Sequence, residues 1–269
     1  MGSSHQRVRR LRRLVQKRSL RWSEGVCVLE GPDLVEAALD SGVEFEAVYV
    51  DAAALHVGAI EALTTKASGQ GVRVFALADG VVEKIADAQT PQPVVAAVRF
   101  EQRDVASLVT TGLTVVLHDL RDPGNVGTII RSADAAGASA VILTGQSVDP
   151  FNPKTLRASA GSIFHLPVLV SSIGDTLSHF GGDAQLLATV VRGGHSHREV
   201  DFTKPSVVVI GNEADGLDDA TIERCDESIS IPMEGRSESL NAGVAASLIV
   251  FEALFQRRDA GTAPSPRSL

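Results

Sequence analysis

Residues 211–217 read GNEADGL and residues 228–255 read SISIPMEGRSESLNAGVAASLIVFEALF; these two runs decide the fold. The first follows an apolar strand, Val207 to Gly211, and is a glycine-broken acidic loop. The second holds a short strand ending at Ile231-Pro232, a polar loop, and a long helix with small residues on its first turns. Polar loops after apolar strands are the site arrangement of an open α/β sheet, where ligands sit beyond the carboxyl ends of strands. The start of the helix offers free backbone N–H groups, and Ser237, Ser239 and Asn241 are candidate caps or ligand contacts there. Ala242, Gly243, Ala245 and Ala246 leave space for a close backbone or ligand approach.

Working outward, the same alternation of strand and helix fills the chain twice. After a basic N-terminal arm (residues 1–22), residues 23–100 alternate VCVLE, a helix from Asp33, EAVYV, a helix over 58–70, VRVFAL, a short helix and PVVAAVRF, which makes a small α/β domain. Residues 101–112 are polar and read as a linker. Residues 113–258 begin a second α/β alternation with TVVLHD and end on the long helix, and residues 259–269 have the composition of a disordered tail. No solenoid repeat is present.

Charge is unevenly spread. The net charge is -8, yet residues 7–21 (RVRRLRRLVQKRSLR) hold eight basic residues and no acid. An acidic body with a basic arm argues for a polyanion held through the arm. The competing readings are a solvated amphipathic helix with Val8, Leu11, Leu14 and Val15 on one face, or a helix lying on a membrane surface. No apolar run approaches the roughly 20 residues that span a bilayer. No apolar segment follows the arginines, so no secretory signal is expected. Cys27 and Cys225, far apart, suit a reduced cytoplasmic protein with two inert thiols, a disulfide being the alternative. Aromatic residues make up only 4% of the chain, which argues against base stacking on an aromatic platform.

Several chemistries lose support from missing motifs. The chain has no G-x-G-x-x-G, no Walker lysine motif, no G-x-S-x-G elbow and no Cys/His set at zinc spacing. His195 and His197, one residue apart in a glycine loop, read as surface residues rather than metal ligands. His118 reads as structural, His165 has little functional weight, and Asp122 is first a turn acid. DPGNVGTIIR (122–131) is a turn feeding a helix, with Asn125 as a cap and Arg131 near the second turn. A helix N-terminus plus an arginine suits an anion or phosphate. An ordinary capped helix whose arginine pairs with Asp134 or an acid elsewhere fits the residues equally well.

Taken together, DPGNVGTIIR, GNEADGL and IPMEGRSESLN, in this order and spacing, resemble the three signature motifs of the SpoU (TrmH-type) RNA ribose 2′-O-methyltransferases of the SPOUT superfamily. VLEGPDLVEAALDSGVEFEAVYV resembles that family's small substrate-binding domain, similar in fold to ribosomal protein L30e. RASAGSIFHLPV, around Arg157, is similar to actinobacterial thiopeptide-resistance rRNA methyltransferases.

The resemblance implies a C-terminal parallel sheet closed by a deep trefoil knot, preceded by the L30e-like domain. It implies S-adenosylmethionine (AdoMet) bent in the knot, with contacts at Thr189, Gly211, Ile231, Met233 and Leu240, and a homodimer formed through the knotted domain. The apolar final helix is then half of a dimer core, or, in a monomer, a plain core helix. Methyl transfer to a ribose 2′-hydroxyl would use Arg131, with Asn125, Glu213, Ser239 and Asn241 positioning groups by hydrogen bonds. Glu213 reads almost as well as a loop acid orienting its own turn. A guanidinium stays protonated in proteins, so holding a phosphate and lowering the hydroxyl's pKa suits Arg131 better than accepting a proton. Arg9, Arg10, Arg12, Arg13 and Arg157 would hold RNA, rRNA being favoured over tRNA, with no metal and no membrane involved. A non-catalytic AdoMet- or RNA-binding protein of the same fold, and a nucleotide-dependent enzyme of Rossmann type, are the alternatives.

Overall fold

The computed structural model describes residues 1–262, which divide into two compact units. The first comprises Met1–Gln102 and Phe151–His165, and the second Arg103–Pro150 with the described residues from Leu166 onward.

The first unit opens with α1 (Gln6–Gln16) and α2 (Arg18–Glu24), then β1 (Val26–Glu30), α3 (Pro32–Asp40), β2 (Phe45–Asp51), α4 (Gly58–Gly69), β3 (Val74–Leu77), α5 (Val82–Ile85) and β4 (Val94–Arg99). Its sheet has the order β1-β4-β2-β3, antiparallel except for the β2–β3 pair. The basic run expected as a separate arm is part of this core. Val8, Leu11 and Leu14 of α1 are fully buried against Val26, Val28, Tyr49, Leu77 and Val95. Spacings of three residues put them on one helix face, and burying that face fixes the run as helix. Arg21, itself buried, donates from Nη1 to the Leu14 and Val15 carbonyls at 2.6 and 2.9 Å, satisfying groups at the end of α1.

A second departure concerns Phe151–His165, which sequence spacing assigns to the C-terminal domain. In the structure this stretch completes the first unit. Phe151 stacks on Phe100 with ring centroids 3.8 Å apart, and Trp22 meets both rings edge-on. The helix that follows, Pro153–Ser159, carries Arg157, which pairs with the buried Glu30 carboxylate and with Asp87. Glu30 also accepts backbone N–H groups from Asp87 and Ala88, so this buried charge is well satisfied.

The second unit is a seven-stranded sheet. Its strands are β5 (Leu113–His118), β6 (Ala140–Thr144), β7 (Val168–Val170), β8 (Gln185–Thr189), β9 (His195–Ser196), β10 (Ser206–Ile210) and β11 (Glu227–Ser230). All six pairings are parallel, in the order β7-β6-β5-β10-β8-β11-β9. Near-continuous burial of VVVI in β10 and LTVVLH in β5 is the mark of strands covered on both faces. Helix α6 (Pro123–Ala135) follows β5, the Pro153–Ser159 helix is α7, α8 (Ile173–Phe180) follows β7, and α9 (Asp219–Ile222) follows β10. The final helix, α10, runs Ala242–Asp259. Residues 101–112, expected as a linker, are anchored on the second unit's side by Val105 and Leu108, which join its core. Of the expected tail, Asp259 closes α10 and Thr262 N bonds the Arg257 carbonyl at 2.8 Å, while residues 263–269 lie outside the described residues.

Candidate active site

In a parallel sheet the strands' carboxyl ends share one edge, and in the second unit the segments after β5, β8, β10 and β11 all leave from there. A cavity of about 490 Å³ opens between three of them, within the usual range for a small-molecule site. Thr189, Gly211, Ile231, Met233 and Leu240 all line it. Ile210, Leu217, Ile229 and Ile249 give it an apolar wall, and Glu213, Asp215 and Glu238 give it an acidic rim. Thr189 Oγ1 donates to the Val209 carbonyl at 3.0 Å, tying the end of β8 to β10.

The GNEADGL loop is folded tightly by its own backbone. Asn212 and Gly216 exchange N–H···O bonds of 3.2 and 3.0 Å, and Asn212 Oδ1 accepts the N–H groups of Ala214 and Asp215. A Cβ at Gly211 would lie inside the backbone of Gly216 and Leu217, so no other residue fits without opening the loop. Asp218, next along, caps α9. Hydrogen bonds from the Thr221 side chain and backbone hold its carboxyl below the usual range.

A hydrogen-bond chain joins the three motifs. Asp122 Oδ1 accepts from Asn125 N at 2.8 Å, which starts α6. Asn125 Nδ2 donates to Glu213 Oε1 at 2.6 Å, Asn241 Nδ2 donates to Asn125 Oδ1 at 2.9 Å, and Asn241 Oδ1 accepts the Gly243 and Val244 N–H groups that open α10. An ionised carboxylate only accepts, so the whole relay has one direction, from the free amides of α10 to Glu213. α6 and α10 meet through small residues: a Cβ at Gly243 would stand 3.4 Å from Thr128 Cγ2 and 3.5 Å from Asn125 Oδ1, and Ser132 and Ser247 hydroxyls are 2.7 Å apart.

Not every expected residue joins this group. Ser239 lines the cavity and its carbonyl accepts the Ser237 hydroxyl at 2.8 Å. Arg131 is exposed on α6, ~9 Å along the axis from Asn125, and no hydrogen bond or ion pair holds it among the described residues. It is a free cation and does not pair with Asp134. His118 is packed as a structural group, its Nδ1 2.8 Å from Thr144 Oγ1. His197, expected at the surface, is 7% exposed, because its backbone N–H bonds Ser230 O and draws it in beside β11. Among the described residues no group of three or more His, Cys, Asp or Glu is arranged to hold a metal ion.

In the first unit the arginines divide. Arg9, Arg12 and Arg13 are exposed on one face of α1 with no partner among the described residues, and Lys17, which charge counting alone did not single out, stands unpaired just beyond them. Arg10, expected at the RNA, is ion-paired in this structure: it bonds Glu24 and Glu46, at 2.7 and 2.6 Å. Arg157 is likewise ion-paired, with Glu30 and Asp87. Arg7 lies over the Phe75 ring, 4.4 Å from its centroid.

Comparison with known proteins matches this architecture. Residues 112–251 match the SpoU rRNA Methylase family and residues 5–96 the MRM3-like substrate binding domain. The chain is 30% identical over 252 residues to the Bacillus subtilis 23S rRNA (guanosine(2553)-2′-O)-methyltransferase RlmP, covering 93% of this chain and 96% of that one. The crystal structure of the SpoU methyltransferase AviRb from Streptomyces viridochromogenes with AdoMet superposes with a TM-score of 0.84 at 30% identity, over 94% of this chain and 98% of that one. The AdoMet-bound rRNA methyltransferase from Sinorhizobium meliloti superposes with a TM-score of 0.82 at 32% identity, over 95% of each chain. The parallel sheet with its strand-end cavity is thus the fold of the SPOUT methyltransferases, preceded by a substrate-binding domain. Within that class, the chain belongs to the SpoU rRNA methylase family.

Proposed function

We propose that this protein transfers a methyl group from AdoMet to a ribose 2′-hydroxyl of 23S rRNA. The observation that carries the reading is the Asn241–Asn125–Glu213 relay, which binds three separate loops into one site beside the cavity. The donor set suits AdoMet: an apolar slot of isoleucines and a leucine for adenine, and carboxylates for a cationic sulfonium and ammonium. When bound, AdoMet supplies an electrophilic methyl on a positively charged sulfur. Thr189, Gly211, Ile231, Met233 and Leu240 would hold it, largely through backbone groups.

The chain's own residues then have three tasks. Asn125, Glu213, Ser239 and Asn241 orient the hydroxyl for in-line attack, where misplacement of ~1 Å costs on the order of 100-fold. Arg131, unpaired and permanently charged, holds a substrate phosphate and lowers the hydroxyl's pKa, its proton leaving to phosphate or water. Arg9, Arg12 and Arg13 form a cationic stripe for RNA phosphates, which positions the substrate without reading its bases. Arg10 and Arg157 support that surface through their carboxylate partners rather than by touching RNA.

We further infer that two copies pair through α10. That helix buries Ala246, Ile249, Val250 and Ala253 on its inner side, yet Val244, Leu248 and Phe255 on the other side are 49%, 45% and 56% exposed. A helix apolar on both sides is one meant to be covered on both. β11 inserts between β8 and β9, both earlier in the chain, and that order supports a knotted passage before α10. Cys27 and Cys225 form no disulfide, and no helix among the described residues is long and apolar enough to cross a membrane.

The test is transfer of tritium from labelled AdoMet into unmodified 23S rRNA, 16S rRNA and tRNA by wild type and Arg131→Ala. Label entering 23S rRNA with wild type alone supports the reading. Label entering only tRNA replaces the substrate. AdoMet binding with no transfer to any RNA would favour a non-catalytic binder.

A further inference from the structure

His197 is an anomaly of packing. Its ring is more than nine-tenths buried, and its Nδ1, out of contact with solvent, has no hydrogen-bond partner among the described residues. Buried polar atoms are nearly always paired, and one that is not points to a missing group. The ring lines an apolar groove of about 420 Å³ on the outer side of α10, together with Thr128, Val244, Leu248, Phe251 and Phe255.

The groove's sequence pattern names its occupant. Val244, Leu248, Phe251 and Phe255 are spaced four, three and four residues apart, the alternation of a helix-pairing seam. A seam of this kind is covered by another helix, and in a two-fold contact the same seam faces itself. The face also carries the hydroxyls of Thr128 and Ser247 and the carboxylate of Glu252, so a second copy laid on the groove brings polar groups as well as apolar ones. An apolar small molecule would fill the groove and leave the imidazole unpaired.

We propose that His197 is the polar anchor of the dimer: a second copy, seated on the α10 groove, supplies the hydrogen bond that Nδ1 lacks. This rests on the pairing through α10 inferred above and adds the contact that fixes its register. The apolar seam contributes affinity, and the single buried imidazole selects the alignment in which its partner group arrives. A buried polar group within an apolar helix seam has this effect in coiled coils, where it sets register and oligomer state.

Sedimentation equilibrium of the full chain, together with nitrogen-15 NMR of histidine-labelled protein, tests the assignment. Wild type is expected to be dimeric, and Leu248→Arg and Val244→Asp monomeric with unchanged circular dichroism. His197→Phe, which keeps the ring volume and removes both nitrogens, is expected to weaken dimerisation about tenfold. The Nδ1 resonance of wild-type dimer is expected to differ from that of monomeric Leu248→Arg by the shift of a formed hydrogen bond. Dimerisation of His197→Phe as tight as wild type, or an Nδ1 resonance identical in monomer and dimer, overturns the proposal, as does a folded wild type that stays monomeric. A monomer that binds AdoMet and methylates RNA sinks this inference and leaves the proposed function standing. A dimer anchored at His197 that transfers no methyl group does the reverse.

Discussion

Asn241 donates to Asn125 at 2.9 Å across 116 positions of sequence, joining the side chain that caps α10 to the first turn of α6, where Asp122 rather than the expected Asn125 is the cap. One amide caps α10 with its oxygen and reaches α6 with its nitrogen. The second passes the bond on to Glu213. Helix placement and site geometry are therefore one arrangement, and disturbing either disturbs the other.

Asn125→Asp puts a second carboxylate where the amide donor meets Glu213. Like charges at 2.6 Å cannot both stay ionised and keep that contact. Methyl transfer should fall by about 100-fold or more, with AdoMet affinity changed far less. Single-turnover transfer beside calorimetric AdoMet binding separates the two; equal losses in both would contradict the positioning role.

Gly211→Ala places a methyl inside the Gly216 backbone. Overpacking of this kind costs ~1–3 kcal/mol, or a melting point lower by roughly 2–5 °C in a chain of this size. Because the loop must open, AdoMet affinity should fall as well. Differential scanning calorimetry with and without AdoMet measures both, and a variant as stable as wild type would show that the loop has room.

The arginines of α1 should separate by role. Replacing Arg9, Arg12 and Arg13 with Ala is expected to weaken RNA binding and to flatten its dependence on log salt by roughly 2–3, about 0.7–0.9 for each phosphate no longer neutralised. Arg10→Ala should leave that slope alone and lower the melting temperature instead, since it strips Glu46 of a partner at 2.6 Å. Filter binding across a salt series decides, and an Arg10 effect on the slope would return that residue to the RNA surface.

Burial, reinforced by the neighbouring Asp226, pushes the Cys225 thiol up to about 11. The thiolate is the reactive form, so at pH 8 Cys225 is protonated and slow to alkylate. The buried Cys27 is slower still. Iodoacetamide labelling followed by mass spectrometry should find both sites largely unmodified in the native protein and fully modified in denaturant. Rapid native labelling of Cys225 would mean that its surroundings open readily.

The cavity lining was legible where its residues lie in contiguous loops. All five cavity residues named from the motifs line one cavity, because each motif is a strand end plus its loop and a parallel sheet gathers such ends. Asn125, Glu213 and Asn241 were grouped only by the resemblance of their motifs to a known family, and their relay was not readable at all, since it links positions 88 and 116 residues apart. The same limit hid the partners of Arg10 and Arg157. A charge count registers a cation and is silent about a carboxylate folded against it from 36 or 127 positions away. The burial of His197 was invisible for a similar reason: glycines on its N-terminal side suggest a loop, and only pairing with β11 draws the loop inward.

The return of Phe151–His165 to the first unit has a consequence for synthesis. Glu30 is made 127 residues before Arg157, the cation that compensates it. At ~5–20 residues per second, a ribosome needs roughly 6–25 s to close that gap. Throughout it the emerging first unit lacks both its ion-pair partner and the Phe151 ring that stacks on Phe100. The nascent chain therefore carries an unfinished core while the start of the catalytic sheet is already leaving the exit tunnel. The unit that is begun first is sealed only after synthesis of the second is under way.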